Sequence, residues 1–199
     1  MVFLLAFLLV PWDRIDVHCV VRDAAGRPAS NLRAEQLQVF DAGELRPVIS
    51  VIRETEPPDI VRIDNPASLY PDALLAITRR FQESSTRKIL VISGLHSGAM
   101  AAERRWELVL LALRLHVVVY GIGPADNTVV ALAEETGGRI APNWNAIQAD
   151  LDAQYHIVAT PLPHAPGTGL LHQLEIRAPQ GWRVQAPRNY YIAPPWDED

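Results

Sequence analysis

The spacing of apolar and polar positions changes twice along this chain. In the first third, short apolar stretches are separated by turn-forming clusters. Ile15–Arg22 reads as a strand, and Asp23-Ala24-Ala25-Gly26-Arg27-Pro28 after it carries turn chemistry. Leu37 to Phe40 reads as a second strand, Asp41-Ala42-Gly43 as a turn, and Pro47 to Arg53 as a third strand. Glu54-Thr55-Glu56-Pro57-Pro58 follows as a linker, because two prolines interrupt regular backbone hydrogen bonding.

From Asp59 onward, strands alternate with helices. Asp59 to Ile63 is a short strand ending at Asp64. Ser68 is placed to cap a helix to about Glu83, with Leu69, Ala73, Ile77 and Phe81 on one face. Lys88 to Ser93 (KILVIS) is continuously apolar, as in a strand covered on both faces. Trp106, Val109, Leu110 and Leu113 mark the inner face of the next helix by their spacing. His116 to Gly121 is another buried strand. A helix capped by Asp126 or Asn127 then runs to Thr136-Gly137-Gly138, where glycine ends it. Arg139 to Ala141 is a short strand and Asn145 to Asp152 a last helix. This alternation specifies βαβ units and a mostly parallel sheet. The tail returns to strands at Tyr155–Thr160, Gly169–Ala178, Trp182–Gln185 and Tyr190–Ile192, and ends in a polar segment, Trp196 to Asp199, that reads as frayed. Neither terminal β segment has enough strands to stand alone, so the two are expected to pair.

At 199 residues the chain is long enough to bury roughly 70% of its unfolded surface. Its net charge of −5 is small and both signs are interspersed. With no Lys/Arg cluster to follow a phosphate backbone, nucleic acid is not expected as a partner. Cys19, the only cysteine, cannot form an intrachain disulfide and reads as a small buried apolar side chain. Val2 to Val10 (VFLLAFLLV) is too short to span a bilayer. It reads either as the apolar stretch of an export signal or as a buried strand, and no basic residue precedes it to favour the first. Localisation therefore stays open between an exported or envelope-associated protein and neither.

Several stretches resemble the von Willebrand factor A-related proteins of bacteria. Val20 to Pro28 and Leu37 to Gly43 resemble the β-rich lead-in of that family, and Arg87 to Ser93 its fourth strand. Val118 to Gly123 with Leu132-Ala133-Glu134-Glu135-Thr136-Gly137-Gly138-Arg139 resembles its fifth strand and the signature after it. Arg188-Asn189-Tyr190-Tyr191-Ile192-Ala193-Pro194 resembles its ending. The resemblance implies an α/β fold with a truncated Rossmann-like sheet of about four mostly parallel strands, plus a β-rich annex from both termini. Residues 1–56 would be the N-terminal β segment, 57–153 the shortened α/β domain and 154–199 the C-terminal β segment. Family strands two and three are missing, which leaves the order 1-4-5-6 with one crossover helix after Asp64.

The resemblance also implies where a divalent cation would sit, and this sequence departs from the pattern there. Asp64 and Ser68 stand in the first ligand motif, but Pro66 replaces its middle serine. Gly94 follows Ser93 where the family carries aspartate. On the alternative alignment, Ala67-Ser68-Leu69-Tyr70 is the family's threonine loop and Ala67 lacks the hydroxyl. Hard cations need several converging oxygens, so Asp64, Ser68, Ser93 and Gly94 are expected to form a degenerate rim holding neither metal nor cofactor. Gly94-Leu95-His96-Ser97-Gly98 resembles a nucleophile elbow with its serine displaced, so no catalytic residue is assigned. Gly121-Ile122-Gly123 lacks the third glycine of a dinucleotide fingerprint, and the six histidines show no ligand spacing. The expected function is non-enzymatic, adhesion-like binding of another protein. The alternatives are a hydrolase working from the loops at the strands' carboxyl ends, or a degenerate product without retained function. Strand one should form a sheet edge, to be covered by Val2–Val10 or by a second copy of the chain.

Overall fold

The structure is a computed structural model that describes residues 14–66, 68–81, 87–94, 100–163 and 170–192. Its strands are β1 (Ile15–Arg22), β2 (Gln38–Asp41), β3 (Glu44–Arg46), β4 (Val48–Arg53), β5 (Asp59–Asp64), β6 (Lys88–Ser93), β7 (Val117–Ile122), β8 (Ile140–Ala141), β9 (Gln154–Ala159), β10 (Leu170–Arg177), β11 (Arg183–Gln185) and β12 (Asn189–Ile192). The helices are α1 (Leu69–Leu75), continued by a wider π turn over Ala76–Arg80, then α2 (Ala102–Arg114), α3 (Asn127–Glu135) and α4 (Trp144–Leu151).

The four middle strands form an all-parallel sheet in the order β5-β6-β7-β8, with α1 leading from β5 to β6. The expected four-stranded parallel sheet is therefore present. Its faces explain the apolar run of β6. Leu90 and Ile92 join Ala73, Leu108, Val109 and Leu132 from α1, α2 and α3, while Ile89 and Val91 join Ile147 and Leu151 from α4. All four β6 side chains are almost wholly buried. Burying each contributes about 1.5–3 kcal/mol, which is why no polar residue alternates with them.

Strands from the two ends of the chain form two further antiparallel sheets, β11-β1-β9-β4 and β12-β10-β2-β3. Ile15, Val17, Cys19 and Val21 of β1 point between them, against Tyr155 and Ile157 of β9 and Val39, Leu174 and Tyr190 of the second sheet. Cys19 is free and buried, and burial pushes its thiol far above its ordinary range.

The opposite face of β1 and β9 meets the parallel part through polar groups. Arg22 donates to Asp150 Oδ1 and to the Ala149 carbonyl of α4, both at 2.8 Å. Buried Arg87, just before β6, donates to Gln154 Oε1 (2.8 and 3.1 Å), the Leu151 carbonyl (3.1 Å) and the Glu56 carbonyl. His18 and His156 stack at 5.0 Å, each beside a carboxylate: His18 Nδ1 lies 3.2 Å from Glu54 and His156 Nε2 lies 2.6 Å from Asp16. The bond to Asp16 raises the His156 pKa against its partial burial. Burial works to raise Asp16, but His156 outweighs it and holds that carboxyl low.

Two expectations need correction, and one strand is additional. The expected third strand is β4, while β3, just before Pro47, was not foreseen; β3 belongs to one sheet and β4 to the other. In α2 the buried face is Leu108, Val109 and Ala112, whereas Trp106 and Leu110 are exposed. Apolar residues cover most of that helix's circumference, and packing on β7 selects the inner face. Finally, Ser68 stands at the N-cap of α1, but its side chain makes no capping bond. Asp126 does cap α3, accepting from Thr128 and Val129 N–H at 2.9 and 3.0 Å. Residues 2–10, the tail 193–199 and Ser97 lie outside the described residues.

Candidate functional site

Parallel register places the ends of β5 and β6 side by side, Asp64 opposite Ser93, at the carboxyl rim of the sheet. Two of the expected rim residues are thus neighbours. The Ser93 hydroxyl donates to Asp64 Oδ1 in a short hydrogen bond, and Arg62 Nη2 lies 3.7 Å from the same oxygen. Arg62 also extends toward the Trp144 ring, 5.7 Å from its centroid. Both members of the ion pair are half exposed, so it contributes under about 1 kcal/mol. Its importance is positional: the carboxylate oxygen a cation would need is already engaged by a hydroxyl and faced by a guanidinium. Ser68 is exposed at the start of α1.

Gly94 adopts φ +86°, and a Cβ built there would lie 2.0 Å from Asn65 Oδ1 and 3.2 Å from Asn65 Cα. Asn65 is itself left-handed at φ +51° and donates its N–H to the Ser93 carbonyl at 2.8 Å. The position after Ser93 is therefore closed by the Asn65 carboxamide, and glycine is required by both backbone angle and space. Sequence reading missed Asn65. Its only signal was an asparagine between a strand and a proline, a residue type that tolerates left-handed backbone. Among the described residues, no group of three or more His, Cys, Asp or Glu side chains is arranged to hold a metal ion.

The other glycine-rich stretches have packing roles. A Cβ on Gly121 would meet Ile140 at 2.5 Å, and the N-terminus of α3 behind this loop is filled by the Asp126 carboxylate. The stretch from Leu132 to Arg139 joins α3 to the C-terminal strands. Thr136 Oγ accepts from Val119 N–H at 2.9 Å and donates to the Leu132 carbonyl at 2.8 Å. A Cβ on Gly138 would lie 1.8 Å from the Val119 carbonyl oxygen, and one on Gly137 would meet Pro187 at 2.7 Å. Glu134 accepts from Arg188 at 2.7 Å, Glu135 from Asn189 at 2.9 Å, and Gln185 donates to the Gly137 carbonyl at 2.9 Å. The two signature-like stretches, about 50 residues apart in sequence, thus meet in one joint.

A second polar cluster lies inside the annex. Asp41, fully buried, accepts from Tyr190 Oη (2.7 Å), Leu162 N–H (2.7 Å) and His172 Nδ1 (3.0 Å). Burial alone would raise this carboxyl, but the three donors together hold it below its ordinary value. The Tyr190 phenol is driven well upward by burial and by Asp41. The bonds of this cluster fasten β2, β10, β12 and the segment after β9 to one another.

Comparisons with protein-family models, with curated proteins and with solved structures return no match.

Proposed function

We propose that this chain is a protein-binding domain that works without a divalent cation, meeting its partner at the carboxyl rim of the parallel sheet. The observation that carries this reading is the internal closure of the rim: Ser93 and Arg62 engage Asp64, and Asn65 fills the space before Gly94. A rim built this way presents hydroxyl, guanidinium and carboxamide groups to a partner in fixed positions, where a metal-dependent relative would present an open coordination site. Open α/β sheets bind ligands at this end of their strands.

The test places a photo-reactive benzoylphenylalanine at Ser68 on the rim, and at Arg177 on the outer sheet as a control, in the cells that make the protein. A discrete adduct from position 68 that forms equally with and without chelator is expected. An adduct that needs magnesium or manganese, or adducts from position 177 but none from 68, would refute the reading. Calorimetric titration of either ion into chelator-treated protein should show no saturable site that Asp64→Ala removes.

A further inference from the structure

The annex has an apolar edge that its described strands leave open, and this observation is independent of the rim. Leu45, Ile49 and Ile52 are the most exposed large apolar side chains in the described protein, at 58, 54 and 56%. All three lie within eight residues on β3 and β4. β3 ends one sheet of the annex and β4 ends the other, and only Pro47 separates them, so both sheets open on the same side. Among the described strands β4 pairs only with β9, with a bulge at Ile49. The short 3₁₀ turn Ala34–Gln36 packs beside β4 without covering Ile49 or Ile52. The other edge considered above, β5, is different. Its Ile60 and Val61 pack into the core clusters, and its exposed side chains are the charged Arg62 and Asp64. Charge and the adjoining Pro57-Pro58 protect β5, whereas β4 has the kind of edge that invites another strand.

We infer that Val2–Val10 forms that strand, lying antiparallel along β4. The reach fits. Ile15 of β1 and Val48 of β4 both pair with Ala159, so β4 lies two strand spacings from β1 and a strand on its free side would lie three, about 14 Å away. Val10 and Ile15 are five residue steps apart, which span about 17 Å when extended. The direction fits as well. β1 and β4 are both antiparallel to β9, so the chain before Ile15 arrives at the start of β4 and must run against it, with Val10 near Val48 and the earlier residues toward Arg53. Nine residues are enough for the six of β4. Because the run is apolar at every position, either register sets apolar side chains beside Ile52 on one face and beside Val48 and Val51 on the other.

Benzoylphenylalanine at Ile52 of the full chain tests this, with Trp106 on α2 as the control position. The expected result is an intramolecular adduct between position 52 and a peptide within residues 2–10, absent from position 106. Hydrogen exchange provides the second measurement. Deleting residues 2–10 should speed amide exchange in β4 at least tenfold and leave β6 unchanged. If the deletion does not fold, Leu5→Asp/Leu8→Asp in the full chain should give the same local effect. An adduct between two chains, no adduct to residues 2–10, unchanged β4 exchange, or a protein whose mature form begins after residue 10 would each overturn the inference.

Discussion

Placing at position 94 the aspartate that the resemblance implies is the most direct way to ask whether the rim lacks only a ligand or is closed by its own geometry. The geometry favours closure. A side chain at φ +86° costs about 1–2 kcal/mol, toward the lower figure for aspartate, which tolerates left-handed backbone better than most. The new Cβ must also displace the Asn65 carboxamide, 2.0 Å away, and still stands 3.2 Å from the Asn65 Cα. Rotating the carboxamide removes the first contact and not the second, which adds about 1–2 kcal/mol. Gly94→Asp should therefore destabilise the protein by about 2–4 kcal/mol in urea titrations, equivalent to roughly 5–15 °C in Tm for a chain of this length. Gly94→Ala, measured alongside, separates the backbone and steric cost from any repulsion between the new carboxylate and Asp64. Asn65→Gly introduced with Gly94→Asp should recover the steric part, giving a coupling of at least about 1 kcal/mol in a double-mutant cycle. If Gly94→Asp were within about 0.5 kcal/mol of the parent, a span ordinary for a neutral surface change, or if it created a micromolar manganese site, the closed-rim reasoning would be wrong.

Two further predictions concern the polar cluster and the joint. Asp41→Asn should cost about 2–4 kcal/mol, because buried donors lose their carboxylate. In the parent, the depressed Asp41 pKa contributes stability that is fully present above the ordinary carboxyl value near 4 and is lost as pH falls through its lower folded value. The acid limb of a stability–pH curve should therefore flatten in the variant, and an unchanged limb would contradict the assignment. Gly138→Ala should cost at least about 3 kcal/mol by chemical denaturation, since its Cβ would meet backbone, the Val119 carbonyl, and no flexible side chain can yield.

Much of the fold could be read from the sequence where one physical signal dominated. β6 is apolar at every inner position because two layers cover it, and β1 alternates because one of its faces lies in the annex core. β3 was hidden because Glu44-Leu45-Arg46 is too short for its alternation to read as a strand, and it is held by pairing with β2. The inner face of α2 was misassigned because Val109 to Leu113 is apolar throughout, so periodicity could not choose a side. At the rim, the sequence suggested only, through the resemblance, which oxygens would be lacking. It could not show that Asn65 occupies the gap, because Asn65 and Gly94 meet only once β5 and β6 are paired. Asp41 was read as part of a turn, and only the packing of β10 and β12 beside it makes it a buried acceptor.

The pairing of the chain's two ends also sets the order of events during synthesis. β1 finds its neighbour β9 only after more than 130 further residues have been made, since Val20 pairs with Gln154 and Ile15 with Ala159. At about 5–20 residues per second, the ribosome takes on the order of ten seconds to deliver that partner. The parallel sheet, whose strands follow one another in sequence, can assemble during that interval. The apolar side of β1 cannot, so the nascent chain carries an unpaired, aggregation-prone strand for most of its translation, and a chaperone that holds the first 50 residues would shield the segment most exposed to misassembly.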